Sequence, residues 1–231
     1  MRTCYGSVVN RAFAVLALTA AVAGSAHAQK TSPTPRPADP GAATAALERA
    51  VARYSDGSAH SAAFVQIYTP SGFATARREA GTVVIQTPQR VRFDYTAPEK
   101  KIFTYDSGEG RFFSPEDKQL TVRRLSEDEK SRLPVVFLRD PADLGRQYEI
   151  TVDPADPSGI SRVLLTPRVG RPELAWLRLA IDKDGSVREL SYQDTAGNKT
   201  EFRFEAWQKG KARPAADFRI TGPPGTRIVE N

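Results

Sequence analysis

The chain has 231 residues, 40% hydrophobic and 26% charged, with a formal net charge of +6. These values are ordinary for a soluble globular protein and exclude collagen, a disulfide scaffold and a wholly disordered chain. One Cys and two His leave little material for a Cys/His metal site, while the positive charge by itself invites a nucleic-acid reading.

The N-terminal 28 residues alter that arithmetic. A basic start (Arg2, Arg11) precedes an apolar run over residues 12–22, and Ala26-His27-Ala28 is a small-x-small cleavage signature. This is the pattern of a secretory signal peptide removed after Ala28, and the run is too short to span a bilayer. Cys4 lies before the apolar run, so no lipobox forms and a soluble exported product is expected. Loss of Arg2 and Arg11 lowers the net charge from +6 to +4 and leaves no Cys, no Met and one His, His60. Without Cys, the exported domain must be held by its core, and its length suffices for that.

Residues 29–41 carry Pro33, Pro35, Pro37 and Pro40 among small polar residues and read as a stiff, disordered leader. The domain proper is expected over 42–231. It opens with a helix over 42–54, with Leu47, Val51 and Tyr54 on one face. Asp56-Gly57 ends that helix, and His60 just beyond reads as a surface turn residue.

The period then changes to two. Val83 and Ile85 alternate with Val84 and Gln86, and Val91, Phe93 and Tyr95 with Arg92 and Asp94. The same holds for Leu120 and Val122, for Leu177, Leu179 and Ile181, and for Phe202 and Phe204. Such alternation marks strands with one apolar and one wet face. Ser107-Gly108, Asp184-Gly185 and Ala196-Gly197-Asn198 are turn signals that favour antiparallel meander pairing. Roughly ten or eleven strands are predicted this way. The sheet is interrupted once. Ser126-Glu127-Asp128-Glu129 is a capping box that predicts a short helix to about Arg132. Pro134 is predicted to start a second helix carrying Val135, Val136, Phe137 and Leu138, stopped by Arg139-Asp140-Pro141.

Chemistry finds little support. His60 is the sole imidazole of the exported chain, Cys is absent, and no Gly-x-Ser-x-Gly elbow, phosphate loop or dinucleotide fingerprint occurs. Neither an enzyme, a metal site nor a cofactor is expected. Basic residues are dispersed and interleaved with acids, the pattern of a solvated face and not of a nucleic-acid stripe. What remains is apolar surface: Phe64, Phe93, Tyr95, Phe112, Trp176, Leu177, Phe202 and Trp207 are available for one face of a curled sheet. That face encloses either packed side chains or an apolar cavity. The full candidate lining adds Val83, Ile85, Val91, Val122, Leu179 and Phe204 from the strands, and Phe137 and Leu138 from the helical insert.

The order of these motifs resembles the LolA family, the periplasmic carriers of outer-membrane lipoproteins. Phe64-Val65-Gln66 is similar to that family's early Phe-x-Gln strand. Gly81-Thr82-Val83 follows, then Pro88-Gln89-Arg90-Val91-Arg92-Phe93-Asp94-Tyr95, like its Pro-x-x-Phe-x-Trp-x-Tyr stretch. Pro98-Glu99-Lys100-Lys101-Ile102, Leu164-Leu165-Thr166-Pro167 and Asp194-Thr195-Ala196-Gly197-Asn198-Lys199-Thr200 match later family steps. The stretch from Phe218 to Thr226 is similar to its Phe-x-Phe-x-x-Pro-x-Gly close. The resemblance runs from about Ala42 to Val229.

The resemblance implies a mainly β fold, an unclosed antiparallel β-barrel (a half barrel) capped by short helices. It implies a monomeric periplasmic carrier whose cavity shelters lipoprotein acyl chains. The implied partners are acylated lipoproteins, an inner-membrane ABC exporter complex and an outer-membrane receptor, with no nucleic acid. The family commonly carries Arg before the Pro of its Pro-x-x-Phe strand, where it latches the lid helices. Thr87 stands there in this chain, so the expected latch is Thr87 itself or Arg90 or Arg92. Two alternatives are a half barrel serving another lipid or an envelope-stress sensor, and an enzyme acting on lipid or glycan. Sensors of that kind usually carry an additional C-terminal domain, which is not expected here.

Overall fold

A computed structural model of the chain describes residues 40–87, 89–133, 139–154, 156–169 and 174–230. The expected signal peptide, most of the leader and the helix expected from Pro134, with Phe137 and Leu138, lie outside the described residues.

Helix α1 (Pro40–Tyr54) buries Ala43, Ala46, Leu47, Ala50 and Tyr54, a stripe at helical spacing. Val51, expected on that face, sits at its margin and is half-buried. Six strands follow as a meander: β1 (Ala59–Thr69), β2 (Arg77–Gln86), β3 (Arg90–Ala97), β4 (Lys101–Asp106), β5 (Glu109–Ser114) and β6 (Gln119–Arg124). Helix α2 (Glu127–Ser131) starts with the expected capping box, in which Glu129 N donates to Ser126 Oγ and Ser126 N donates to Glu129 Oε2. Where Asp140-Pro141 was expected to stop a helix, it starts one. Asp140 caps α3 (Pro141–Gln147) by accepting from Ala142 N at 2.8 Å, with Pro141 in the first turn. A Pro that ends one helix is equally suited to open the next.

A second meander comprises β7 (Tyr148–Val152), β8 (Ser161–Pro167), β9 (Trp176–Ile181), β10 (Val187–Gln193) and β11 (Lys199–Phe204). β12 (Gln208–Gly210), a 3₁₀ turn (Ala215–Phe218) and β13 (Arg227–Glu230) complete the described chain. The sheet order is β13-β6-β5-β4-β3-β2-β1-β11-β10-β9-β8-β7, with β12 added to the start of β1. The edges β7 and β13 do not pair, so the fold is mainly β and the barrel is unclosed, with short helices against it. The described residues form thirteen strands; β12 and β13 are too short to show alternation in the sequence. All pairings are antiparallel except β13 with β6.

The two faces of the sheet are covered differently. α1 packs over β7, β8 and β9 on what we call the inner face. The outer face of β2–β6 is crossed by the C-terminal segment as a strap. Phe218 packs on Ala59 and Val84, and Ile220 on Phe113 and Leu120. The strap's polar groups are caught by side chains of the sheet. Arg213 N donates to Gln86 Oε1 (2.8 Å), Arg92 Nη1 to Asp217 O (2.9 Å) and Arg111 Nη1 to Ile220 O (3.1 Å). Arg219 Nε donates to Asp106 Oδ2 (2.6 Å), while Arg90 and Ser107 donate to its Oδ1.

Burial alone would raise the Asp106 carboxyl. The Ser107 hydroxyl and the Arg219 and Arg90 guanidiniums outweigh it and hold the carboxyl below its ordinary range. Because the folded value lies below the unfolded one, this stabilisation is present above about pH 4 and is lost as pH falls through the folded value. Asp106→Asn is therefore expected to remove about 1–3 kcal/mol at neutral pH, and less at pH 3. Urea unfolding at both pH values checks it; an equal loss at both would assign the effect to packing.

Candidate functional site

Register decides which side chains share the inner face. Across β11-β1-β2-β3-β4-β5, cross-strand partners line up as Phe204 with Phe64, Phe64 with Gly81, Gly81 with Tyr95, Val83 with Phe93 and Ile85 with Val91. Phe93 pairs with Phe103, Val91 with Tyr105, and Phe103 with Phe112. On the other meander Phe202 pairs with Leu190, Leu190 with Leu179, and Leu177 with Leu165. One side of the sheet is thus apolar through nine strands, because period-two alternation in each strand is kept in phase by the ladder.

At its centre lies an aromatic cluster. The Phe64 ring stands edge-on to Phe93 at 5.0 Å and to Tyr95 at 5.1 Å, and Phe93 lies 5.5 Å from Phe202. The cluster continues through stacked Phe202 and Phe204 to Trp207, Tyr54 and His60. Offset and edge geometries of this kind add about 0.5–1.5 kcal/mol per pair beyond area burial. The polar atoms at the margins are satisfied. Tyr95 Oη donates to Gln66 Oε1 at 2.7 Å, Trp207 Nε1 to Val187 O at 2.7 Å, and Val187 N to Tyr54 Oη at 3.1 Å. Burial pushes the Tyr54 hydroxyl up to about 12 and the Tyr95 hydroxyl well above its ordinary value, so both stay protonated at neutral pH.

The structure brings together Phe64, Val83, Ile85, Val91, Phe93, Tyr95, Phe112, Leu177, Leu179, Phe202 and Phe204 on this face. Val122 and Trp176 do not join them. Val122 packs against the Phe113, Leu120 and Ile220 cluster on the outer face. Trp176 pairs with Gln193, to which its Nε1 donates, on the outer side of β9. Residues not singled out in the sequence belong here as well: Phe103, Tyr105, Val163, Leu165, Leu190 and Tyr192. The alternation of Phe103 and Tyr105 with Ile102 and Thr104 was the available signal.

The expected latch is corrected. Arg90 and Arg92 alternate with Val91 and Phe93, so they stand on the outer face, where Arg90 holds Asp106 and Arg92 holds Asp217 O. Thr87 Oγ1 accepts from Gly57 N at 3.2 Å, in the turn after α1. The contacts that tie the helical segment to the inner face come from elsewhere. Arg123 of β6 pairs with Glu129 of α2, and the Arg132 guanidinium lies 5.7 Å from the ring centre of Tyr192 on β10. His60 is also corrected. It is 2% exposed, lies in β1 and not in a turn, and its ring stands edge-on to Tyr54 at 5.0 Å. Burial lowers its pKa below the ordinary imidazole value.

Among the described residues no group of His, Cys, Asp and Glu is placed to hold a metal ion, and no helix is long and apolar enough to cross a membrane. The chain is similar to the outer-membrane lipoprotein carrier protein of Xanthomonas campestris pv. campestris (strain B100), at 29% identity over 167 residues, 72% of this chain and 79% of that protein. The protein of the same name from Dechloromonas aromatica (strain RCB) is 28% identical over 153 residues, 66% of this chain and 72% of its own length. Among solved structures, an uncharacterized conserved protein from Thermus thermophilus shares the fold with a TM-score of 0.52 and 12% identity, covering 82% of this chain and 99% of that one. The family model for outer membrane lipoprotein carrier protein LolA matches residues 56–221, from the turn after α1 to the C-terminal strap. With β1 to β12, the Phe64, Phe93 and Phe202 rings and the strap inside that match, the chain belongs to the LolA family.

Proposed function

We propose that the chain is a periplasmic carrier that shelters the acyl chains of lipoproteins against its inner face and ferries them from an inner-membrane ABC exporter to an outer-membrane receptor. The continuous apolar inner face in a member of this family carries the reading. The physical need is plain. Each exposed CH₂ costs about 0.8 kcal/mol in water, so one long acyl chain costs on the order of 10 kcal/mol to move bare across an aqueous compartment. Shelter lowers that barrier, and a receptor that competes for the chains permits release. The role is binding, not catalysis. Export by a signal peptide cut after Ala28, with residues 29–41 as a leader, is part of the same reading.

The test uses the neutral probe N-phenyl-1-naphthylamine. The purified exported protein is expected to enhance its fluorescence, and a triacylated lipopeptide is expected to displace it. The protein should also release a lipoprotein from exporter-containing vesicles into solution when ATP is supplied. Absence of both probe binding and release would overturn the proposal.

A further inference from the structure

A concavity lies at the C-terminal end of α1, away from the centre of the aromatic cluster. It is a cleft of about 520 Å³, a size that suits a small molecule. Distant segments of the chain build it. α1 supplies Arg49 and Arg53, one helical turn apart on the same side. The turn after α1 supplies Asp56, and β1 supplies His60. The β9–β10 turn supplies Lys183 and Asp184, and β12 brings Lys209 opposite His60 in the ladder. The turn is pressed onto the helix: Gly185 has φ +84°, and a Cβ there would stand 2.4 Å from Arg49 O.

The charges do not balance. Four cationic side chains, Arg49, Arg53, Lys183 and Lys209, face two carboxylates, and both carboxylates are engaged. Asp184 pairs with Arg53 at 3.1 Å and also accepts from Ser186. Asp56 pairs with Lys209 and lies 3.4 Å from His60 Nε2. Among the described residues neither Arg49 nor Lys183 has a carboxylate partner. Two arginines at this spacing repel one another, so the arrangement is not explained by helix stability, although basic groups do suit a helix C-terminus.

The hydrogen-bond inventory points the same way. Arg49 Nε, Arg53 Nε and His60 Nδ1 are buried and have no partner. Arg49 makes one contact through Nη2, a 3.3 Å hydrogen bond to Ser161 Oγ. Buried guanidinium N–H groups without acceptors are destabilising, and such groups in native proteins call for an explanation. An oxyanion with several acceptor atoms supplies one. A surplus of two positive charges, with Arg forks and an exposed Lys at the rim, matches a phosphate dianion better than a singly charged carboxylate.

We propose that this cleft binds a phosphate group, held by Arg49, Arg53 and Lys183. The chemistry is common to free phosphate and to the headgroup of an anionic phospholipid, and two assay arms separate the sources. The first titrates the purified exported protein with inorganic phosphate by calorimetry. The second floats it with phosphatidylcholine vesicles, with and without phosphatidylglycerol. Binding in at least one arm is expected, weakened about tenfold or more by Arg49→Gln and by Lys183→Gln, the loss of one charge-assisted contact each. Lys183 is exposed on a turn, so its variant tests the site even if Arg49→Gln unfolds. Phosphate binding without vesicle recruitment assigns a soluble ligand, and recruitment by phosphatidylglycerol alone assigns the lipid headgroup. No binding in either arm, or binding unchanged in Lys183→Gln and in any folded Arg49→Gln, overturns the proposal. N-phenyl-1-naphthylamine carries no charge and reports the apolar face, so it should bind both variants as it binds the unmodified protein. Failure of the phosphate site and failure of the carrier reading are thereby distinguishable.

Discussion

Phe93→Ala is expected to lower the unfolding free energy by about 3–5 kcal/mol, the range for truncating a fully buried Phe in a close-packed setting. Phe93 is 1% exposed and its ring meets those of Phe64, Tyr95, Phe103 and Phe202. Its removal leaves four rings with an apolar void between them, and the lost dispersion contacts are not replaced by water. Denaturant unfolding followed by circular dichroism measures the loss; a change below about 1 kcal/mol would mean that the cluster collapses into the gap. The same variant discriminates a packed core from a binding face. If the inner face takes acyl chains, an apolar ligand should restore part of the lost stability by occupying the void, following RT ln(1 + [L]/Kd). The unmodified protein should then also be stabilised by the ligand. Stabilisation of the variant alone would assign the face to an ordinary filled core.

Gly81→Ala is expected to be destabilising by about 3 kcal/mol, at the upper end for overpacking, because the group in the way is backbone. An added Cβ would stand 2.1 Å from Asp94 O and 2.9 Å from the Tyr95 Cα, just where the β2–β3 register shifts between Ala80 and Gly81. Main chain in the middle of a ladder cannot swing aside as a Lys tip can. The two strands must separate locally, which also disturbs Tyr95 above Gln66. Gly145→Ala is the control. Gly145 lies in α3 with nothing within 4 Å of the added carbon, and Ala there should be neutral or stabilising by up to about 1 kcal/mol. Thermal melts of the two variants side by side decide the matter: equal melting temperatures would mean that the β2–β3 bulge relaxes freely.

Much of the fold was legible because alternation and turn chemistry are local. Val83 and Ile85, Val91 and Phe93, and Phe202 and Phe204 point inward as their period demands, and Ser126 and Glu129 form the box that their spacing predicts. The failures come from covering elements that act at long range. In β6, Leu120 and Val122 are the apolar members of the alternation, yet the inner positions are Gln119, Thr121 and Arg123. The strap makes the outer face of β6 a dry one, and only the distant Ile220 tells of it. Gln119 and Thr121 are satisfied inside by a 3.1 Å hydrogen bond to one another. Arg90 and Arg92 were misplaced although their parity with Val91 and Phe93 already forbade an inward latch. His60 was misread because β1 already begins at Ala59, and because Tyr54, which covers the imidazole, belongs to the preceding helix. The basic cleft draws on α1, β1, the β9–β10 turn and β12, segments that no sequence window holds together.

The joint between the two meanders has a kinetic consequence. Every other antiparallel neighbour in the main sheet path follows its partner directly in sequence, whereas β1 meets β11 only after the whole intervening chain has been placed, with Phe64 opposite Phe204. Closing so long a loop costs entropy before any contact rewards it, so this pairing is expected to be the slow step of refolding. Half of the aromatic cluster lies on each side of the joint. A chain with both hairpin ladders formed but the joint open would show nearly full β-sheet signal and no assembled inner face. In stopped-flow refolding, far-ultraviolet circular dichroism should therefore recover before N-phenyl-1-naphthylamine binding does. Simultaneous recovery would show that the joint nucleates the fold instead of completing it.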